Sequence, residues 1–178
     1  MTEKEPLNLL GRELDNQELR ELLKDALTES NGVKKGKKFE LFFENFMAQQ
    51  KGFIFIDKHC RSKVGEIDYF YRTELRNHPL WKKYNYLFIE AKNWEKKIGS
   101  PEVNHFITLL KAKTVFPCCG IYLTASLLSP QAKTAIRDAR MVSGMMIILI
   151  TSRDLPEMID EGFRSFLERK CDMMLAKA

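Results

Sequence analysis

The spacing of apolar positions changes several times along the chain, and each change marks an element. Leu14, Leu19, Leu22, Leu23 and Leu27 recur at helical spacing and stop at Ser30-Asn31-Gly32. They predict an N-terminal helix over residues 13–27 that lies outside the main core. Phe39, Phe42, Phe43, Phe46 and Met47 form a second helical stripe, ended by Lys51-Gly52. Residues 53–57 and 64–72 read as strands with a polar segment, His59 to Lys63, between them. Residues 73–85 are turn-rich and basic, as in a loop or an extended hairpin tip, and residues 86–91 form a third strand.

The second half of the chain alternates. Ser100-Pro101-Glu102 is a helix start, with a Ser cap, Pro at the first helical position and an acid in the first turn. Val103, Phe106, Ile107 and Leu110 supply that helix's apolar face. A strand over 120–125 follows, and Ser129-Pro130-Gln131 repeats the same start before Ala132, Ala135, Ile136 and Ala139. Residues 145–150 are an unbroken apolar run, as expected of a strand covered on both faces. From Leu155 a last helix presents Ile159, Phe163, Phe166, Leu167 and Met174. The main-domain order is therefore α-βββ-α-β-α-β-α. This predicts an α/β fold, a mixed β-sheet flanked by helices with an antiparallel start and parallel crossovers. The expected division is a helical arm over residues 1–32 and a domain over 33–178.

Composition adds exclusions. With 44% hydrophobic and 11% aromatic residues the chain can bury a sizeable core, which excludes wholesale disorder. No apolar run approaches the ~18 residues of a membrane span, and the first residues lack a basic segment leading into an apolar one. A cytoplasmic protein without membrane contact is the expectation. Cys60, Cys118, Cys119 and Cys171 have neither disulfide-framework nor zinc spacing. Residues 1–31 hold four basic residues against eight acids, net −4, which leaves +9 on the rest of a chain whose total is +5. A basic body suits a polyanionic partner, though solvated surface lysines produce the same count.

The chemistry concentrates at Gly65-Glu66-Ile67-Asp68 and Glu90-Ala91-Lys92, both on strands. Residues two apart on a strand share a face, so neighbouring strands would bring Glu66, Asp68, Glu90 and Lys92 together. Carboxylates hold a hard divalent cation that activates water and polarises a phosphoryl oxygen, and a lysine beside it stabilises developing negative charge. The chain contains two other E-x-K triplets, at Glu95 and Glu168, but neither follows a strand. A salt-bridged strand end is the plain alternative. Glu40 borders the Phe39 stripe on the helical wheel while Glu44 turns farther outward, so Glu40 needs a partner, either a protein group or a metal-bound water. Trp81-Lys82-Lys83 combines an aromatic with basic groups, and reads either as a grip on a nucleic-acid backbone or as a loop with one anchoring Trp. His105, early on its helix, is either a phosphate contact or a surface residue.

In order, the runs GKKFELFFENF, GEIDYF, YLFIEAKNW and CCGIYLTASLLSPQAKTAI resemble the PD-(D/E)xK nuclease superfamily, the restriction-endonuclease-like fold. The nearest resemblance is to its branch of Mrr-type restriction endonucleases and Holliday-junction resolvases. The likeness covers residues 34–155. It implies a Mg²⁺-dependent DNA nuclease, an endonuclease in which Mn²⁺ can substitute. Glu40 would be the helix acid, Asp68 and Glu90 the metal ligands with the Ala91 carbonyl, and Lys92 the catalytic lysine; Glu66 would be an auxiliary acid. DNA is the implied partner and no small-molecule substrate is expected; a homodimer is left open. Lys63, Arg72, Arg76, Lys82, Lys83, Lys96 and Lys97, on segments flanking these motifs, would contact the nucleic acid. The interval from Asp68 to Glu90 is longer than in compact members, and no Pro precedes Asp68. The alternative is a catalytically inactive nucleic-acid-binding or protein-interaction module of the same fold; the complete Asp68, Glu90 and Lys92 set speaks against decay.

Overall fold

The computed structural model describes residues 11–113 and 117–176, so residues 1–10 of the acidic arm lie outside the described residues. Two helices, α1 (Asn16–Thr28) and α2 (Gly32–Ala48), precede an antiparallel pair, β1 (Phe53–Ser62) and β2 (Gly65–Thr73). A short helix α3 (Pro79–Lys83) leads into β3 (Tyr86–Lys92). Then come α4 (Ser100–Lys113), β4 (Cys118–Thr124), α5 (Pro130–Ser143), β5 (Met146–Ile150), α6 (Leu155–Glu161) and α7 (Phe163–Leu175). The sheet order is β1-β2-β3-β4-β5; β1, β2 and β3 pair antiparallel and β3, β4 and β5 parallel, as expected.

Helices cover both faces of the sheet. α1, α2, α6 and α7 pack with Tyr69, Leu87, Ile89, Ile121 and Ile148 in one apolar layer. α4 and α5 pack with Ile67, Phe88, Tyr122 and Ile147 in the other. Burying each Phe of the α2 stripe contributes about 1.5–3 kcal/mol, and Phe39, Phe42, Phe43 and Phe46 are all buried. Among the described residues no helix is long and apolar enough to cross a membrane.

Four expectations change. The N-terminal helix is not outside the core: Leu14, Leu19, Leu23 and Ala26 are buried in the α2 layer. Ser30-Asn31-Gly32 is a joint between two packed helices, and Asn31 caps α2 by accepting from the Val33 and Lys34 amides. The polar His59–Lys63 segment is mostly strand, because the β1–β2 pairing continues through Cys60–Ile67 and Ser62–Gly65. The basic stretch before β3 contains α3, where Trp81 is fully buried and its indole donates to Glu168. The anchoring alternative is the correct one for that residue. The last helix breaks in two at Gly162, whose φ of 76° and ψ of 155° leave the helical region.

Candidate active site

The β2–β3 pairing ends at Tyr69–Ile89. Just beyond it, the Asp68 carboxylate stands in for the missing strand partner: Oδ2 accepts the Ala91 N–H at 2.8 Å. Parallel pairing then holds Glu90, Ala91 and Lys92 beside Tyr122, Leu123 and Thr124 of β4. Lys92 Nζ lies 2.7 Å from Glu90 Oε1 and 3.5 Å from Asp68 Oδ2. The three residues line one cleft together with Glu66, Trp94, Glu102, His105 and Tyr122.

The electrostatics of this cleft are unresolved within the protein itself. Glu90 is buried, and burial followed by the Asp68 charge pushes its carboxyl up to about 7, against the pull of Lys92. Burial works against the Lys92 charge as well, but Glu90 and Asp68 outweigh it and hold the ammonium above the ordinary lysine value. Glu90 Oε2 is buried without a hydrogen-bond partner. A buried carboxyl oxygen without a partner, beside a second carboxylate, suits a hard divalent cation, whose charge would hold both groups ionised. Among the described residues no three His, Cys, Asp or Glu side chains are placed to hold a metal by themselves. A cation here would rest on Asp68 and Glu90, with a backbone oxygen and water completing its shell.

Glu66 lies at the edge of this cleft and is already engaged, by His59 Nδ1 at 2.8 Å and Arg61 Nε at 3.0 Å. The Arg61 hydrogen bond, with His59 beside it, lowers its carboxyl below the ordinary value. Gly65, the glycine of the motif, has φ 144°, and a Cβ there would come within 3.0 Å of Leu109 and 3.2 Å of the His105 ring. The positive φ favours glycine here, and a side chain would also press on the two α4 residues that cover the turn. His105 is exposed on that helix, as the surface alternative had it, yet its ring borders the cleft.

The cleft lining does not include Glu40. Its carboxylate meets Lys58 Nζ at 2.9 Å, and the same ammonium reaches Glu44 Oε1 at 2.6 Å. The wheel had Glu44 turned outward; it is instead buried at 3% exposure and also accepts from Tyr69 Oη at 3.0 Å. The basic residues divide as well. Arg72 pairs with Tyr86 at the start of β3, so Arg72, Arg76 and α3 with Lys82 and Lys83 sit at the opposite sheet end from Lys92. Four strand steps, about 13 Å, separate Arg72 from Asp68 along β2, and six, about 20 Å, separate Tyr86 from Lys92 along β3. Lys96 and Lys97 follow the cleft strand directly, and Lys63 forms the turn beside Gly65.

Trp94, Asn93 and Lys58 were not singled out from the sequence. Asn93 is buried, and its Nδ2 donates to the carbonyls of Ala26 at 3.0 Å and Lys35 at 3.1 Å. It thereby ties the end of β3 to α1 and α2. An Asn one step past a charged strand end was the available signal for a buried bridge.

A mixed five-stranded sheet with an acid–lysine cluster where β2 and β3 part defines the restriction-endonuclease-like class of α/β domains. Residues 33–159 match the family Mrr_cat, restriction endonuclease, and the chain belongs to that family. No curated protein matches it. Among solved structures it is similar to an EndoMS complex with double-stranded DNA, with 17% identity, a TM-score of 0.44, and coverage of 70% of this chain and 46% of that one. A repair endonuclease from Pyrococcus abyssi gives 16% identity, a TM-score of 0.41, and coverage of 70% and 49%. The DNA modification-dependent restriction endonuclease AspBHI gives 18%, 0.47, and coverage of 92% and 40%. The chain thus spans less than half the length of each of these structures.

Proposed function

We propose that this domain is a metal-dependent nuclease that hydrolyses DNA phosphodiester bonds, acting as an endonuclease. The observation that carries the reading is the buried, unpartnered Glu90 Oε2 beside Asp68 and Lys92; family membership supports it. Mg²⁺, or Mn²⁺ in its place, would be held by Asp68, Glu90 and the Ala91 carbonyl. When bound, the metal supplies a Lewis acid for the phosphoryl oxygen and lowers the pKa of water.

The protein's own contribution is placement. The Ala91 N–H fixes the Asp68 carboxylate at the strand end. Tyr122, buried beside Glu90, forms the inner wall of the cleft. Lys92, held charged by both acids, is poised to stabilise negative charge as it develops on the phosphoryl oxygens. Glu66 shapes the rim through its bonds to His59 and Arg61. Glu40 has no part in this reading.

The test is incubation with plasmid, single-stranded and branched DNA in Mg²⁺, Mn²⁺ or chelator. Cleavage with metal and none with chelator is expected, and Asp68→Asn should lose cleavage together with Mn²⁺ affinity in a calorimetric titration. Unchanged Mn²⁺ affinity in that variant would remove the site.

A further inference from the structure

The two tryptophans differ in a way that the fold does not require. Trp81 is fully buried and hydrogen-bonded, whereas Trp94 keeps 38% of its surface exposed and lines the cleft with Asp68, Glu90 and Lys92. A loose loop would explain an exposed ring, but this loop is pinned. On one side Asn93 Nδ2 holds the Ala26 and Lys35 carbonyls. The Ser126 hydroxyl donates to the Trp94 carbonyl itself. On the other side Ile98 is bracketed by Leu127 and Ser129, with Ile98 N to Leu127 O at 3.0 Å and Ser129 N to Ile98 O at 2.9 Å. The backbone beneath the ring is ordered on folding while the ring is left open, so its immobilisation adds little cost when a ligand arrives. Lys96 Nζ lies over the indole ring, 5.2 Å from its centroid, a cation on the aromatic face carried by an exposed side chain long enough to swing aside.

We propose that Trp94 is a stacking platform for an unpaired base, so that this cleft takes single-stranded or locally unpaired DNA in preference to intact duplex. The inference rests on reading the cleft as a nucleic-acid site, but not on its cleaving. In a duplex each base already has its faces covered by neighbours, and an indole gains a partner only where a base has left the stack. Stacking accepts any base, because every base has a π-face. Lys96 would follow the strand's phosphates while the strand passes the Asp68–Glu90 pair.

The experiment uses intrinsic fluorescence in chelator, where nothing is cut. Trp81, fully buried in α3 at the other end of the sheet, is the internal reference. Addition of single-stranded oligonucleotide should quench wild-type emission, and Trp94→Phe should abolish the quenching while changing the Kd no more than about twofold. Trp94→Ala should weaken single-strand binding by ~10-fold, within the range of one lost base–aromatic stack, and leave duplex Kd unchanged. In Mn²⁺ the ratio of single-strand to duplex cleavage should fall by a similar factor. Equal losses on both substrates, or none on either, would overturn the proposal even where wild-type protein cuts DNA. Conversely, Trp94-dependent quenching in a protein that never cuts would retain the platform and sink the nuclease reading.

Discussion

Two buried glutamates, each with a lysine, lie on opposite faces of the same sheet. Beneath α2, Glu44 at 3% exposure meets Lys58 at 2.6 Å; beside α4, Glu90 at 6% exposure meets Lys92 at 2.7 Å. By burial and ion pairing they are equivalent. They differ in completion. Glu44 also receives the Tyr69 hydroxyl, and its lysine turns outward to a half-open Glu40. Glu90 has an oxygen with no partner, and the next group along is another carboxylate. A buried carboxylate–lysine pair is thus no signature of a site. The signature is a pair that the protein leaves short of one positive partner.

The strongest way to break this contrast is to remove each lysine. Lys92→Met should lower cleavage by at least ~10²-fold, the scale of one lost preorganised donor. Mn²⁺ affinity should hold or rise slightly, since a like charge has gone, and DNA affinity should barely move. Lys58→Met should leave the cleavage rate per folded molecule unchanged. A Lys92→Met protein that folds, binds and cuts at the wild-type rate would show that the chemistry is wrongly placed on β3.

Stability should show the reverse ranking. Lys58→Met strands the Glu44 carboxylate with a single phenol donor, at a cost of about 1–3 kcal/mol in urea denaturation. That figure sits below the cost of breaking a fully buried pair because Lys58 is partly open to water. A loss below ~0.5 kcal/mol would mean that the α2 grouping is surface decoration rather than a finished internal bridge.

The unfinished site also has a sign in pH. Glu90 titrates near 7 in the fold but near 4.5 in the unfolded chain. Between those values the folded state holds a proton that the unfolded state has lost. The group's contribution to stability is therefore greatest below about 4.5, declines as pH rises, and is gone above about 7. In chelator, wild type should lose more stability than Glu90→Gln between pH 5 and pH 8, and saturating Mn²⁺ should cancel the difference. Parallel curves for the two proteins in chelator would mean that the Glu90 charge is already compensated.

The arrangement of motifs was legible because it is local. Asp68, Glu90 and Lys92 each sit in a short strand pattern, and the αβ alternation around them dictates which strands are neighbours. The Glu40–Glu44 choice was not legible, because a helical wheel assumes one buried face. α2 lies between α1 and the sheet, so Glu44 is enclosed although it is 140° from Phe39 on the wheel. The place of α1 was missed for a related reason: its leucines look sufficient for an arm, and only long-range packing decides otherwise. Basic residues were assigned by proximity in sequence, whereas the Arg72–Tyr86 register carries four of the seven to the far end of the sheet.

The smallest predicted effect is the sharpest test of whether the two groupings are separate. Resemblance makes Glu40 the helix acid of an active site, but its carboxylate is 40% exposed and tied to Lys58. An ion pair that open is worth ~0–1 kcal/mol, and Lys58 keeps Glu44 when Glu40 is neutralised. Glu40→Gln should therefore shift the urea midpoint only slightly and change cleavage and Mn²⁺ affinity by less than about twofold. The measurement is steady-state cleavage of a fixed oligonucleotide across a Mn²⁺ series. A rate loss approaching that of Lys92→Met, with Mn²⁺ affinity intact, would show that α2 delivers its acid to the cleft when DNA is bound. The two faces of the sheet would then serve a single site.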